Sequence, residues 1–102
     1  MPVAAEPGAD PGAGPVLDRA WELDPQVSVR PEAFGALLYH FGTRRLSFLK
    51  DRRLLSVVDA LAGAPTARAA CTEAGVDERS LPAFEVALGR LARTSMLRER
   101  TS

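Results

Sequence analysis

A chain of 102 residues with 13 basic and 13 acidic side chains has room for one small domain and carries no formal net charge. Non-specific nucleic-acid affinity comes from neutralising many phosphates at once, so a neutral domain is a poor candidate for it. Twelve of the basic residues are arginine and one is Lys50, no run approaches the ~20 consecutive apolar residues of a membrane span, and a single cysteine, Cys71, excludes an internal disulfide.

Residues 1–15, MPVAAEPGADPGAGP, hold four prolines and three glycines, and apart from Met1 their one large aliphatic is Val3. Ordering such a backbone costs roughly 1–2 kcal/mol per residue, more than its side chains return on burial, which predicts a disordered tail. The segment has neither the charged start nor the apolar middle of a signal peptide, and with one cysteine the expectation is a cytoplasmic protein. A folded domain is expected over residues 16–97, with 98–102 frayed.

Trp21 and Leu23 begin a short β-prone piece, Asp24-Pro25 make a turn, and Val27 and Val29 alternate with Gln26, Ser28 and Arg30. This predicts a first strand from Gln26 to Arg30. Pro31 is expected to interrupt it, since proline cannot donate to a ladder. A second strand follows over Phe34 to His40 and a third over Arg44 to Leu49, joined by Gly42-Thr43. Glycine at the first central position supplies the positive φ of a type II′ turn.

Counting outward from that two-residue loop pairs Phe41 with Arg44, His40 with Arg45, Tyr39 with Leu46, Leu38 with Ser47 and Leu37 with Phe48. Leu37, Tyr39, Leu46 and Phe48, with Phe41, then share an apolar face, which the periodicity assigns to the core. The opposite face is mixed, with His40 as a surface residue near the hairpin tip. No later segment reads as a strand that could pair the outer edge of the third strand. Its backbone groups are therefore open to an added strand.

After Lys50 the period changes from two to about 3.6 residues. Asp51 caps a helix in which Leu54, Leu55, Val58, Leu61 and Ala62 share a face, and Gly63 with Pro65 stops it. Thr66 caps a second helix whose Ala67, Ala70, Cys71 and Ala74 recur at helical spacing up to Gly75. Asp77 or Ser80 starts a third helix, and Pro82 favours Ser80 because proline belongs in the first turn. Its stripe is Leu81, Phe84, Leu88 and Leu91. A three-stranded antiparallel sheet followed by three helices predicts an α+β domain of winged helix-turn-helix type.

The catalytic inventory is thin. His40 is the single histidine and has no second ligand at metal-binding spacing, Cys71 lies on an apolar stripe, and Asp51, Asp59, Asp77 and Glu85 stand singly. There is no glycine-rich phosphate loop. These absences predict no enzyme, no cofactor and no metal. A winged-helix DNA-binding regulator is the alternative, but the third helix mixes Arg79, Arg90 and Arg93 with Glu85.

One run carries more than periodicity: Trp21-Glu22-Leu23-Asp24-Pro25-Gln26-Val27, then Arg30-Pro31-Glu32 and the unbroken segment from Phe34 to Lys50, FGALLYHFGTRRLSFLK. It resembles the mycofactocin biosynthesis peptide chaperones, which are similar to the chaperones of pyrroloquinoline quinone biosynthesis. Both are small recognition elements for ribosomally made, post-translationally modified peptides. The likeness continues more loosely through Ala67 to Cys71, Ala74 to Asp77 and Leu81 to about Leu97.

The resemblance implies a non-catalytic protein that binds a precursor peptide and presents it to a radical S-adenosylmethionine maturase, which modifies the peptide's carboxyl-terminal Val-Tyr. It also implies that the leader adds as a further strand to the third strand, against the third helix. By position, Arg44, Arg45, Leu46, Ser47, Phe48 and Leu49 would pair with the peptide, and Phe84, Leu88 and Leu91 would stand near the cleft wall. Main-chain hydrogen bonds supply much of the binding in that mode, and alternate side chains give specificity. With Leu46 and Phe48 assigned to the core, side-chain contact falls to Arg45, Ser47 and Leu49, and Ser47→Pro is expected to remove a donor from the edge. A homodimer through the same edge is the alternative use.

Overall fold

The computed structural model describes residues 16–100. Val16–Asp18 form a 3-10 turn, followed by β1 (Trp21–Leu23), β2 (Val27–Glu32), β3 (Gly35–His40) and β4 (Leu46–Leu49). Helices α1 (Arg52–Leu61), α2 (Ala67–Glu73) and α3 (Leu81–Arg93) come next, with a 3-10 turn at Glu78–Ser80, and β5 (Leu97–Glu99) closes the order. The tail assigned to residues 1–15 lies outside the described residues. The expected antiparallel sheet of three strands, β2-β3-β4, is present with its three helices, and β1 and β5 form a second, two-stranded sheet.

Pro31 does not interrupt β2. Phe41 N–H donates to the Gln26 carbonyl at 2.8 Å, which marks alternate residues of β2 as the ones bonded to β3. Pro31, opposite Ala36, falls between them on an edge strand, where its nitrogen points away from β3 and no ladder bond is lost.

The loop closed by the His40–Arg45 pair contains four residues rather than two. Arg44, not Gly42, takes the left-handed conformation, with φ 62°. Its N–H donates to the His40 carbonyl at 2.7 Å, and His40 N–H to the Arg45 carbonyl at 3.0 Å. Phe41 and Arg44 are therefore loop residues. Beyond them the register is the expected one: Tyr39 faces Leu46, Leu38 faces Ser47 and Leu37 faces Phe48.

The two faces of the sheet are the reverse of the expectation. Ala36, Leu38, His40 and Leu49 are buried, whereas Phe34, Phe41, Leu46 and Phe48 are exposed. The face that meets α1 carries small and aliphatic side chains, so the helix can lie close, and the bulky aromatic set is left outside. His40 can join the buried face because its imidazole is satisfied. Nδ1 accepts from the N–H groups of Gly42 and Thr43, each at 3.0 Å, and Nε2 lies 3.7 Å from Asp24 Oδ1. It staples the loop from within rather than standing at the surface.

The helices follow the periodicity, except that in α1 Val57 joins the buried face, Leu55 is half-buried and Ala62, the C-cap, is exposed. Asp51 accepts from Arg53 N–H at 2.7 Å, and Leu54, Val57, Val58 and Leu61 are buried. Thr66 accepts from Ala69 N–H at 3.1 Å, and Ala67, Ala70 and Cys71 are buried. Burial pushes the Cys71 thiol above its ordinary pKa, against a smaller effect of Arg68. Asp77 caps the 3-10 turn through Ser80 N–H at 3.2 Å, and α3 then begins at Leu81 with Pro82 in its first turn.

The end of the domain is not frayed at Arg98. Leu97–Glu99 pair antiparallel with Trp21–Leu23, Arg98 Nε reaches Glu22 at 2.6 Å and Arg19 reaches Glu99 at 3.0 Å. Arg100 N–H donates to the Ala20 carbonyl at 2.9 Å, and its guanidinium donates to the carbonyls of Ala62 and Ala64 beyond the end of α1. Beneath this sheet the Trp21 indole donates to the Val16 carbonyl at 2.9 Å.

Candidate functional site

The site begins with the backbone of β4. In an antiparallel pair, residues that exchange hydrogen bonds with the neighbouring strand alternate with residues whose N–H and C=O point the other way. The bond from His40 N–H to the Arg45 carbonyl sets that phase. Ser47 and Leu49 are thus bonded toward β3, and Leu46 and Phe48 direct their backbone groups outward. Among the described residues no strand pairs with them. The same phase corrects the proline expectation: Ser47→Pro would break the ladder to Leu38, and the outward donors belong to Leu46 and Phe48.

A groove of about 250 Å³ runs beside this edge. Ser47, Phe48 and Leu49 form one wall, Ala87, Arg90 and Leu91 of α3 with Thr94 just past its end the other, and Leu54 of α1 contributes to its lining. A hollow of about 120 Å³ continues it past Leu54 and Ala87 to Asp51, Ala83 and Phe84. The two share Leu54 and Ala87, so they form one trough along α3. Its lining is mostly apolar, with Arg90 at one end and Asp51 at the other.

Both ends have fixed geometry. The N–H of Arg53, followed by its guanidinium, holds the Asp51 carboxyl below the usual carboxylate range. That guanidinium lies 3.3 Å from Asp51 Oδ2 and 5.3 Å from the centre of the Phe84 ring, tying the start of α1 to α3. At the opposite end Thr94 Oγ1 donates to the Arg90 carbonyl at 2.9 Å.

Of the residues expected here, Leu46, Ser47, Phe48 and Leu49 form β4, while Arg44 and Arg45 precede it. Phe84 and Leu91 line the trough, but Leu88 is fully buried and lines neither part of it. Ala83, Ala87, Arg90 and Thr94 were missed as lining. They recur at helical spacing beside the core stripe Phe84, Leu88 and Leu91, and the two alanines are what leave the space. The trough offers backbone bonds and apolar contact. Among the described residues no group of three His, Cys, Asp or Glu side chains could hold a metal ion, and no helix is long and apolar enough to cross a membrane.

Known proteins agree with this chain over most of its length. The model of the peptide chaperone MftB family matches residues 20–98. The chain is 59% identical over 80 residues to the peptide chaperone MftB of Mycobacterium tuberculosis (strain ATCC 25618 / H37Rv), covering 78% of this chain and 73% of that protein. Against the peptide chaperone MftB of Mycobacterium ulcerans (strain Agy99) it is 53% identical over 97 residues, 95% of this chain and 88% of the relative. The protein of that name from Mycolicibacterium smegmatis is 54% identical over 80 residues, 78% of each chain. No solved structure matches. With a family match spanning both sheets and all three helices, the chain belongs to the peptide chaperone MftB family.

Proposed function

We propose that the protein is a non-catalytic chaperone in the cytoplasmic biosynthesis of mycofactocin, a ribosomally made redox cofactor, and that it binds the precursor peptide by strand addition and presents it to a radical S-adenosylmethionine maturase. The outward-pointing backbone of Leu46 and Phe48, beside an apolar trough, carries this reading. A peptide strand bonded to those groups would place every second side chain toward α3, where Leu54, Ala87 and Leu91 accept apolar groups and Arg90 can meet a carboxylate. The peptide-binding set is therefore Leu46, Ser47, Phe48 and Leu49 with Phe84, Ala87, Arg90 and Leu91. The names of the three relatives support a peptide as the ligand. The order of a three-stranded sheet and then three helices supports a winged-helix recognition element similar to the pyrroloquinoline quinone chaperones.

The test is a titration of the isotope-labelled chain with the synthetic precursor peptide of its own gene cluster, following backbone amide signals. Saturable shifts concentrated at residues 46–49 and along α3 are expected. Saturable binding with shifts elsewhere would overturn strand addition, and absence of binding both alone and with the maturase present would overturn the chaperone reading.

A further inference from the structure

The outer face of β3 and β4, with the flanking Phe34 and Phe41, is apolar, and nothing among the described residues covers it. Phe41 is 60% exposed, Phe48 58%, Leu46 56% and Phe34 46%. Rings pair along the face, Phe34 with Phe48 at 6.2 Å between centres and Tyr39 edge-on to Phe41 at 5.2 Å. Soluble domains seldom leave a contiguous apolar patch of this kind without a use for it.

The surroundings of the patch are basic. Arg30 stands on the same face as Leu37, its partner across the β2–β3 pair. Arg44 follows Phe41 in the loop, and Arg52 donates to the Ala33 carbonyl beside Phe34 at 3.2 Å. Arg30 and Glu32 of β2 form an ion pair at 2.8 Å and together add no net charge, so the positive charge around the patch comes from Arg44 and Arg52. A second copy of the chain suits this face poorly, because a two-fold contact would bring the two arginine rims together. An apolar patch with a carboxylate rim suits it on both counts.

β4 also joins the face to the peptide edge. Leu46 and Phe48 send their side chains onto the face and their backbone groups to the edge, whereas Ser47 and Leu49 face the trough. We infer that the outer face of the sheet is the docking surface for the enzyme that receives the peptide, a folded protein with an apolar patch rimmed by carboxylates. This inference rests on the function proposed above. A strand added to β4 lies about 4.8 Å from it, so an enzyme seated on Leu46 and Phe48 has the peptide at its own border. Peptide and enzyme then occupy different sides of β4 and bind together.

The test uses the full chain, the radical S-adenosylmethionine maturase of the same gene cluster and the precursor peptide. The variants are the double substitution Phe34→Ser with Phe41→Ser, and separately Arg30→Glu, all at exposed positions outside the peptide trough. The double variant is expected to lose at least tenfold in affinity for the maturase, and Arg30→Glu to lose affinity most at low salt, with peptide affinity unchanged within twofold in both. Unchanged binding of the double variant to the maturase would overturn the docking surface while leaving the chaperone reading in place. Failure of the wild-type chain to bind the maturase, with or without peptide, would overturn that reading and this inference with it. Self-association or binding to anionic vesicles that the double substitution abolishes, with maturase binding intact, would assign the face to a second copy or to a membrane instead.

Discussion

Gly35 and Leu49 meet so closely that a β-carbon on residue 35 would overlap the Leu49 carbonyl oxygen, and Gly35 holds φ at +149°. The start of β3 is thereby pressed against the end of β4, which sets where the peptide edge stops. Gly35→Ala combines a backbone clash with a conformation that side chains rarely adopt, and is expected to destabilise the fold by about 2–4 kcal/mol. Urea unfolding followed by Trp21 fluorescence measures it. A loss below about 1 kcal/mol would mean that the two strands part without cost.

The phase of the β3–β4 ladder separates two prolines one position apart. Phe48→Pro removes a donor that points away from the sheet, so the fold should persist while peptide affinity falls tenfold or more. Phe48→Ala accounts for the loss of the ring. Ser47→Pro instead breaks a bond to Leu38 and should lower stability by several kcal/mol, as proline does inside a ladder or helix. Isothermal titration and thermal unfolding of the three variants decide the matter, and equal peptide affinity for Phe48→Pro and wild type would remove β4 from the binding site.

Ala87 is where the two parts of the trough meet. Ala87→Leu keeps a good helix former and fills the space, so helix stability should change by no more than a few tenths of a kcal/mol. Peptide affinity should drop at least tenfold. An unchanged dissociation constant would show that the peptide's side chains do not enter the trough.

Asp51 makes stability depend on acid. Its carboxyl titrates below its ordinary range in the folded chain because Arg53 N–H and the Arg53 guanidinium favour the charged form. A depressed folded pKa contributes stability that is present above the unfolded value, about 4, and is lost as pH falls through the folded value. The wild type should therefore lose stability between pH 5 and the acid side of the usual carboxylate range. Asp51→Ala should cost about 1 kcal/mol at pH 7 through the lost cap, and Asp51→Asn less, because Asn also caps well. Both variants should show a flatter profile than wild type over that interval.

The register of the β3–β4 hairpin was readable because counting outward from Gly42-Thr43 gives the same pairs as the four-residue loop that forms. The side that becomes core was not readable by the same count. Pairing places Tyr39, Leu46 and Phe48 on one side, but the choice of side belongs to α1, which takes the face with Ala36 and Leu38. His40 counted as polar and therefore exterior, although two backbone N–H groups of its own loop satisfy it. The helices were legible because capping side chains and apolar spacing agree in each of them. β1 and β5 are three residues each, too short for alternation to show. In the trough, Phe84 and Leu91 could be found from the apolar stripe, whereas Ala87 and Arg90 act through the space beside that stripe.

The pairing of β1 with β5 gives the domain a late fastening. Glu22 and Arg98, 76 positions apart, lie side by side, and closing so long a loop costs chain entropy that the local helices do not incur. Behind them Arg100 covers carbonyls left open past the end of α1. A chain still being synthesised can form its hairpins and helices early, but it lacks this clasp until residue 100 has emerged from the ribosome. The trough on α3 lies between the clasped ends, so competence to hold a peptide should arrive only once residue 100 is clear of the ribosome.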